Sequence, residues 1–189
     1  GHGSGSFGHF AGRQYRTREG IRAGEEAQGW YGYAETGAAA ARLNRLVLDA
    51  LLRAGLPAVT IQPSATARCR DGILQTLHWQ PIRHALKVGL LPVVHGDVAF
   101  DAPRGCTIIS TEQVFAYLCR RLKPARILLV GTVDGVFTGD PLRDETALHI
   151  PIIRAGDLAA CRGRLSGSHG VDVTGGMATK VAEMAELVA

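Results

Sequence analysis

No apolar run in this sequence is long enough to cross a bilayer. The longest, such as Leu90–Val94 and Ile127–Val130, extend only a few residues, against about 20 for a spanning helix. Cysteine is scarce as well. Cys69, Cys106, Cys119 and Cys161 are far apart and make no CxxC pair, which argues against a zinc ribbon or a disulfide framework and for reduced thiols in a cytoplasmic enzyme. Cys106 and Cys119 read as small buried apolar groups. Histidines at ligand spacing such as HxxxH are missing. No metal ligand is therefore assigned, and His2, His78, His84, His95, His149 and His169 read as structural or exposed. A Walker A loop of the form GxxxxGKS or GxxxxGKT is absent, and so is any dense run of one charge. The net charge of +4 comes with dispersed arginines (Arg13, Arg16, Arg18, Arg22, Arg42, Arg45, Arg120, Arg121), a pattern that disfavours nucleic acid and suits small anionic ligands.

What is present is an ordinary apolar fraction and an excess of glycine. With 46% hydrophobic and 20% charged residues, the chain is neither disordered nor collagen-like and can bury one sizeable core. Glycine contributes 24 of 189 residues, about twice the usual ~7%. These glycines gather in short clusters, which invites a search for phosphate-cradling loops.

Between the clusters, helices alternate with strands. Thr36–Arg53 is expected to be a helix with Leu43, Leu46, Val47 and Ala50 on its inner face, ended by Gly55 and Pro57. Ala58–Ile61 follows as a buried strand, His84–Leu90 closes a second helix, and Leu91–His95 is another strand. Val98–Phe100 and Thr107–Ile109 flank a turn-rich segment and predict a hairpin. Ser110 and Gln113 have capping-box spacing and open a helix whose apolar face is Val114, Phe115, Leu118, Cys119 and Leu122. Arg126–Val130 reads as a strand buried on both faces. Thr174 caps a last helix with Met177, Val181, Met184 and Val188 inward. This alternation predicts an α/β fold, with a mainly parallel sheet between helical layers.

Three segments carry chemistry. In Gly1–His9, four glycines and two serines in nine residues can turn backbone N–H groups toward an anion, and His9 adds a side-chain donor. A flexible linker is the bland alternative. Gly131–Pro141 follows the aliphatic strand, where ligands sit in parallel sheets. Asp134 there could accept from ribose hydroxyls or adenine, although Asp134-Gly135 is also an ordinary turn signal. Val173–Lys180 places Thr-Gly-Gly at a helix start, with Lys180 about two turns in and suited to a transferring phosphoryl group. A capped surface helix with a plain lysine would look the same. Trp30, Tyr31 and Tyr33, expected just before the long helix, read as a lid, a pocket wall or a surface aromatic patch.

Taken together, the stretches GSGSFGH (Gly3–His9), HGDVAFD (His95–Asp101), ISTEQ (Ile109–Gln113), VDGVFTGDP (Val133–Pro141) and GVDVTGGMATK (Gly170–Lys180) resemble the amino acid kinase superfamily, most closely its isopentenyl phosphate kinase family. The resemblance implies a three-layer α/β/α fold and transfer of the ATP γ-phosphoryl group, with Mg²⁺, to isopentenyl phosphate. It implies that Gly3, Gly8 and His9 hold the acceptor phosphate, with His9 the hallmark donor. Ser4, Asp134, Gly135, Gly175 and Lys180 match nucleotide-site positions, and Lys180 also matches a lysine that neutralises the moving phosphoryl. Thr111 and Glu112 stand where the family usually has Gly-Asp, so Glu112 takes the place of an Asp thought to orient catalytic lysines. Thr111 falls on the substrate side. A prenyl tail also needs an apolar slot, which Val98, with Ile109 and Val114, could line by position; all three read equally as ordinary core residues.

The family's opening KxGGS strand and loop, and its closing strands, have no counterpart here. Residues 1–189 are therefore expected to be one incomplete domain, truncated at both ends, working as a homodimer on a small prenyl phosphate with neither nucleic acid nor membrane as partner. Within the same superfamily, kinases acting on uridylate or fosfomycin are the competing reading. A non-catalytic nucleotide-binding protein is the alternative outside it.

Overall fold

The computed structural model describes residues 1–131, 133–154 and 176–188. The chain folds as two compact units, Gly1–Leu122 and Lys123–Ala189.

In the first unit, α1 (Gly5–Gln14) is followed by α2 (Glu26–Arg53). The long helix begins well before Thr36, so Trp30, Tyr31 and Tyr33 lie on its first turns rather than ahead of it. Its inner face also differs from the expected one. Leu46 is 56% exposed and Ala50 is exposed, whereas Gly32, Thr36, Ala40, Asn44 and Leu48 form the buried stripe at steps of four. The reason is close approach: a methyl group on Gly37 would stand only 3.1 Å from Val98 Cγ2. Small residues let the helix backbone come near the sheet, and that outweighs the larger apolar payload of the leucine side. Gly55, at φ +79°, ends the element in the left-handed region.

The strands are β1 (Ala58–Thr60), β2 (Arg68–Arg70), β3 (Ile73–Thr76), β4 (Leu91–Val93), β5 (Asp97–Asp101) and β6 (Gly105–Ile109), with α3 (Gln80–Lys87) before β4 and α4 (Thr111–Leu122) after β6. Strands β1 and β4 pair in parallel, and a four-stranded sheet runs in the order β3-β2-β5-β6. Its central pair β2–β5 is parallel and its outer pairs are antiparallel, so the α/β fold carries a mixed sheet. The expected hairpin is the β5–β6 pair, in register from Asp97 opposite Ile109 to Asp101 opposite Gly105.

Asp101 closes that hairpin. Its carboxylate is 3% exposed and accepts from the backbone N–H groups of Asp71 (3.2 Å), Gly72 (2.7 Å) and Arg104 (3.2 Å). Half of the capping box also forms: Ser110 Oγ accepts from the Gln113 N–H at 3.1 Å. The Gln113 side chain does not return to the cap. It bonds Leu74 N–H and Gly72 O instead, pinning α4 to the β2–β3 hairpin. Val114 and Leu118 then join Ala99, Ile109 and Val94 in the main core, with Phe115 and Leu122 at its edge, as the periodicity predicts. Burial, with Asp101 nearby, pushes the Cys69 and Cys106 thiols up to about 11. They are packing groups, not nucleophiles.

The second unit holds the short antiparallel pair β7 (Val136–Phe137) and β8 (His149–Ile150), and α5 (Gly176–Val188). The expected buried strand over 126–130 does not form. Leu128 is 80% and Val130 98% exposed, and none of the described strands pairs with this run. Aliphatic composition alone cannot make a strand without a hydrogen-bonded neighbour. Among the described side chains of α5, Ala185 is buried and Val181 and Met184 are half-buried; those of Met177 and Val188 lie outside the description. Thr174 lies outside the described residues.

Candidate active site

The glycine-rich opening is half loop and half helix. The chain enters as an extended segment bridged to the sheet in parallel, His2 against His95. It then turns at Gly3–Ser4 and starts α1 at Gly5. The loop expected to run through to His9 therefore ends at Ser4. The Gly8 N–H is spent inside the helix on Ser4 O (3.2 Å). The unspent donors are those of the first turn, Gly5, Ser6 and Phe7, which precede the first intrahelical donor, the Gly8 N–H. Together with the positive end of the helix they form an anion-receptive mouth. Gly8 has a packing role, because a methyl there would meet Ser4 Oγ at 2.5 Å. His9 is exposed on the next turn of the same helix.

Behind this mouth lies a buried polar cluster. His2 O accepts from Gly96 N–H (3.2 Å) and Thr111 Oγ1 (2.7 Å), and its N–H donates to Val94 O (3.2 Å). The His2 ring has Nδ1 2.8 Å from Gly3 O and Nε2 3.0 Å from Asn44 Oδ1, while Asn44 Nδ2 donates to Thr60 Oγ1 at 2.6 Å. The ring stacks on His95 with centroids 5.5 Å apart. His95 and Asp97 are 1% and 2% exposed. Burial holds the His95 imidazole below its ordinary pKa, His2 acting in the same direction and Asp97 against it. Asp97 accepts from the N–H groups of Ser64 (3.0 Å) and Val98 (2.9 Å). Burial and then Asp97 raise the Tyr33 phenol. Tyr33 stacks on Phe100 at 5.2 Å, beside Trp30, with the Arg68 guanidinium over the Phe100 ring.

The other expected residues of this unit take distinct places. Thr111 is tied to His2 as described, so it joins the glycine segment to the start of α4. Glu112 is the next residue, half-buried in the first turn of α4. Val98 is 2% exposed on β5 and packs under Gly37, a core position. In the second unit Asp134 is exposed, and Gly135 lies against the His149 ring, which also packs on Phe137. Gly175 lies outside the described residues. Lys180 is on α5, with its side chain outside the description. Among the described residues, no three His, Cys, Asp or Glu side chains gather as a metal site, and no helix is long and apolar enough to cross a membrane.

The amino acid kinase family matches residues 1–189. The chain belongs to that family. The isopentenyl phosphate kinase of Methanothermobacter thermautotrophicus is 39% identical over 97% of this chain and 69% of its own length. The corresponding enzyme of Methanocaldococcus jannaschii is 33% identical over 95% of this chain, which spans 65% of that protein. A solved isopentenyl phosphate kinase superposes with a TM-score of 0.76 at 35% identity, covering 86% of this chain and 67% of its own.

Sequence reading did not bring together the polar cluster behind the glycine turn. His2 and His95, read above as structural or exposed, are stacked on each other, and Asn44, Thr60 and Asp97 complete their surroundings. One signal was available: HGD sits at the end of a strand, where parallel sheets place their ligands. Nothing in the spacing pairs His2 with His95, because only the fold brings them together.

Proposed function

We propose that this chain serves ATP-dependent phosphorylation of isopentenyl phosphate to isopentenyl diphosphate. The carrying observation is the mouth at Gly3–Phe7: a glycine turn entering α1, with unspent N–H donors in its first turn and His9 exposed one turn further along. An acceptor that is itself a phosphate monoester is already an anionic nucleophile. Catalysis then needs in-line placement and neutralisation of charge more than a general base.

In this reading Gly3, Gly8 and His9 serve the acceptor phosphate, Gly8 by letting Ser4 close on the helix. Thr111 and Glu112 lie on the same side through the Thr111–His2 bond, and Val98 is the floor beneath Gly37, not an open wall of the prenyl slot. Ser4, Asp134, Gly135, Gly175 and Lys180 serve ATP, and Lys180 also neutralises the moving phosphoryl. Mg²⁺ comes with the nucleotide phosphates, as is usual for such transfers. Treating residues 1–189 as one domain is supported by the family match over that whole length. A homodimer in the cytoplasm completes this reading, the location supported by the scattered, unpaired cysteines.

A coupled ADP-release assay on the full-length enzyme, with isopentenyl phosphate and UMP side by side, tests the reading. Faster turnover on isopentenyl phosphate is expected, and faster turnover on UMP would overturn it.

A further inference from the structure

Neither ring nitrogen of His95 has a hydrogen-bond partner, although the side chain is 1% exposed. A neutral imidazole always carries one N–H. Burying that donor without an acceptor costs free energy that a phenyl ring of similar shape would not. A purely packing role therefore leaves the choice of histidine unexplained. The acceptor at hand is Asp97, whose Oδ2 stands 3.7 Å from Nε2, just beyond hydrogen-bond distance. Asp97 is held in place by two backbone N–H groups, from Ser64 and Val98. On its other side His95 carries the stacked ring of His2, its plane nearly parallel at 7°. His2 leads directly into the Gly3–Ser4 turn and is fixed through its own N–H and O to Val94, Gly96 and Thr111. His95 thus sits between a fixed carboxylate and the residue that opens the anion-receptive mouth.

We propose that His95 is a positioning residue for the phosphate-acceptor end of the site: its ring supports His2, and its N–H closes onto Asp97 when the Gly3–Ser4 turn takes a phosphate group. The inference rests on the reading of that turn given under the proposed function. The movement required is under about 1 Å, the gap between the present separation and a hydrogen bond. His2 and Asp97 are the titratable groups that bear on the ring. Burial keeps it neutral, so the N–H is available to donate.

His95→Phe keeps an aromatic ring in the stack and removes both nitrogens. The variant should melt at or above the wild-type temperature. It should bind isopentenyl phosphate, or inorganic phosphate as a second probe, roughly tenfold more weakly by calorimetry, the size of one lost hydrogen bond, with ATP affinity unchanged. In the wild-type chain the His2 ring signals should move in heteronuclear NMR when either phosphate is added, and in the Phe variant they should not. Wild-type acceptor affinity in the variant would overturn the proposal. So would equal losses for ATP and acceptor, a loss explained by a fall in melting temperature, or a wild-type His2 ring that responds to neither probe. A wild-type chain whose His2 ring answers inorganic phosphate, but which prefers UMP to isopentenyl phosphate, would overturn the assigned substrate and leave the role of His95 intact.

Discussion

His9 and His95 occupy opposite environments and should answer mutation and pH differently. His9 is exposed on α1 and its proposed work is with the acceptor alone. His9→Ala should raise the KM for isopentenyl phosphate roughly 10- to 100-fold, the value of a hydrogen bond to a charged group, and leave the KM for ATP near wild type. Steady-state kinetics with each substrate varied in turn checks the split. His95 is buried, and its folded pKa lies below the ordinary 6.5. A histidine of this kind contributes stability that is present above the unfolded value and is lost as pH falls below it, because the unfolded chain takes up the proton more readily. Urea unfolding between pH 7.5 and 5 should show the wild-type chain losing stability below about 6.5, with His95→Phe losing less. Identical pH dependence in the two proteins would remove His95 as the cause.

Elements in this fold are set by a few buried polar groups as much as by apolar periodicity. The β2–β3 turn and the β5–β6 hairpin meet on Asp101, whose carboxylate serves three backbone donors. Asp101→Ala leaves those donors buried without an acceptor and should cost about 3 kcal/mol or more by chemical denaturation. The hairpin and α4 were legible beforehand because their signals are local: alternating residues, a turn, a serine cap and an i, i+4 apolar face. The inner face of α2 was not. Its leucines pointed one way, but contact with β5 selects glycine, alanine and threonine, a demand set by the neighbouring sheet and invisible in the helix itself. The same holds for 126–130, where an aliphatic run implied a strand whose partners no local pattern can supply. For the proposed site, Gly3, Ser4, Gly8 and His9 lie in one continuous stretch, while the residues of the polar cluster behind it, His2, Asn44, Thr60, His95 and Asp97, come from distant parts of the sequence and meet only after folding.

Ligands offer a test that reaches the entire chain. Anything that binds the native state alone raises the unfolding temperature, by about 2.7 kcal/mol of linkage at a hundredfold excess over Kd. ATP and isopentenyl phosphate should each shift the melting curve and UMP should shift it less, a ranking that differential scanning calorimetry reads without requiring turnover. Lys180→Ala should keep the acceptor-induced shift while lowering turnover by roughly 10²-fold, the usual loss for a transition-state donor. The family was legible because its five stretches fall in order along residues 1–189, each short enough to survive as local sequence.

The β5–β6 hairpin has a consequence for how the gene can vary. Asp97 and Asp101 stand at the two ends of one strand, on one face, and each is anchored by backbone donors. The intervening turn, 102–104, has exposed or half-exposed side chains and can accept many substitutions. Its length is another matter, since adding or removing one residue there disturbs the register opposite Gly105–Ile109 and with it both carboxylate anchors. Point changes in the turn, other than proline at 104, which would remove a donor to Asp101, should be silent in a deep mutational scan, and single-residue insertions or deletions at the same sites should be lost.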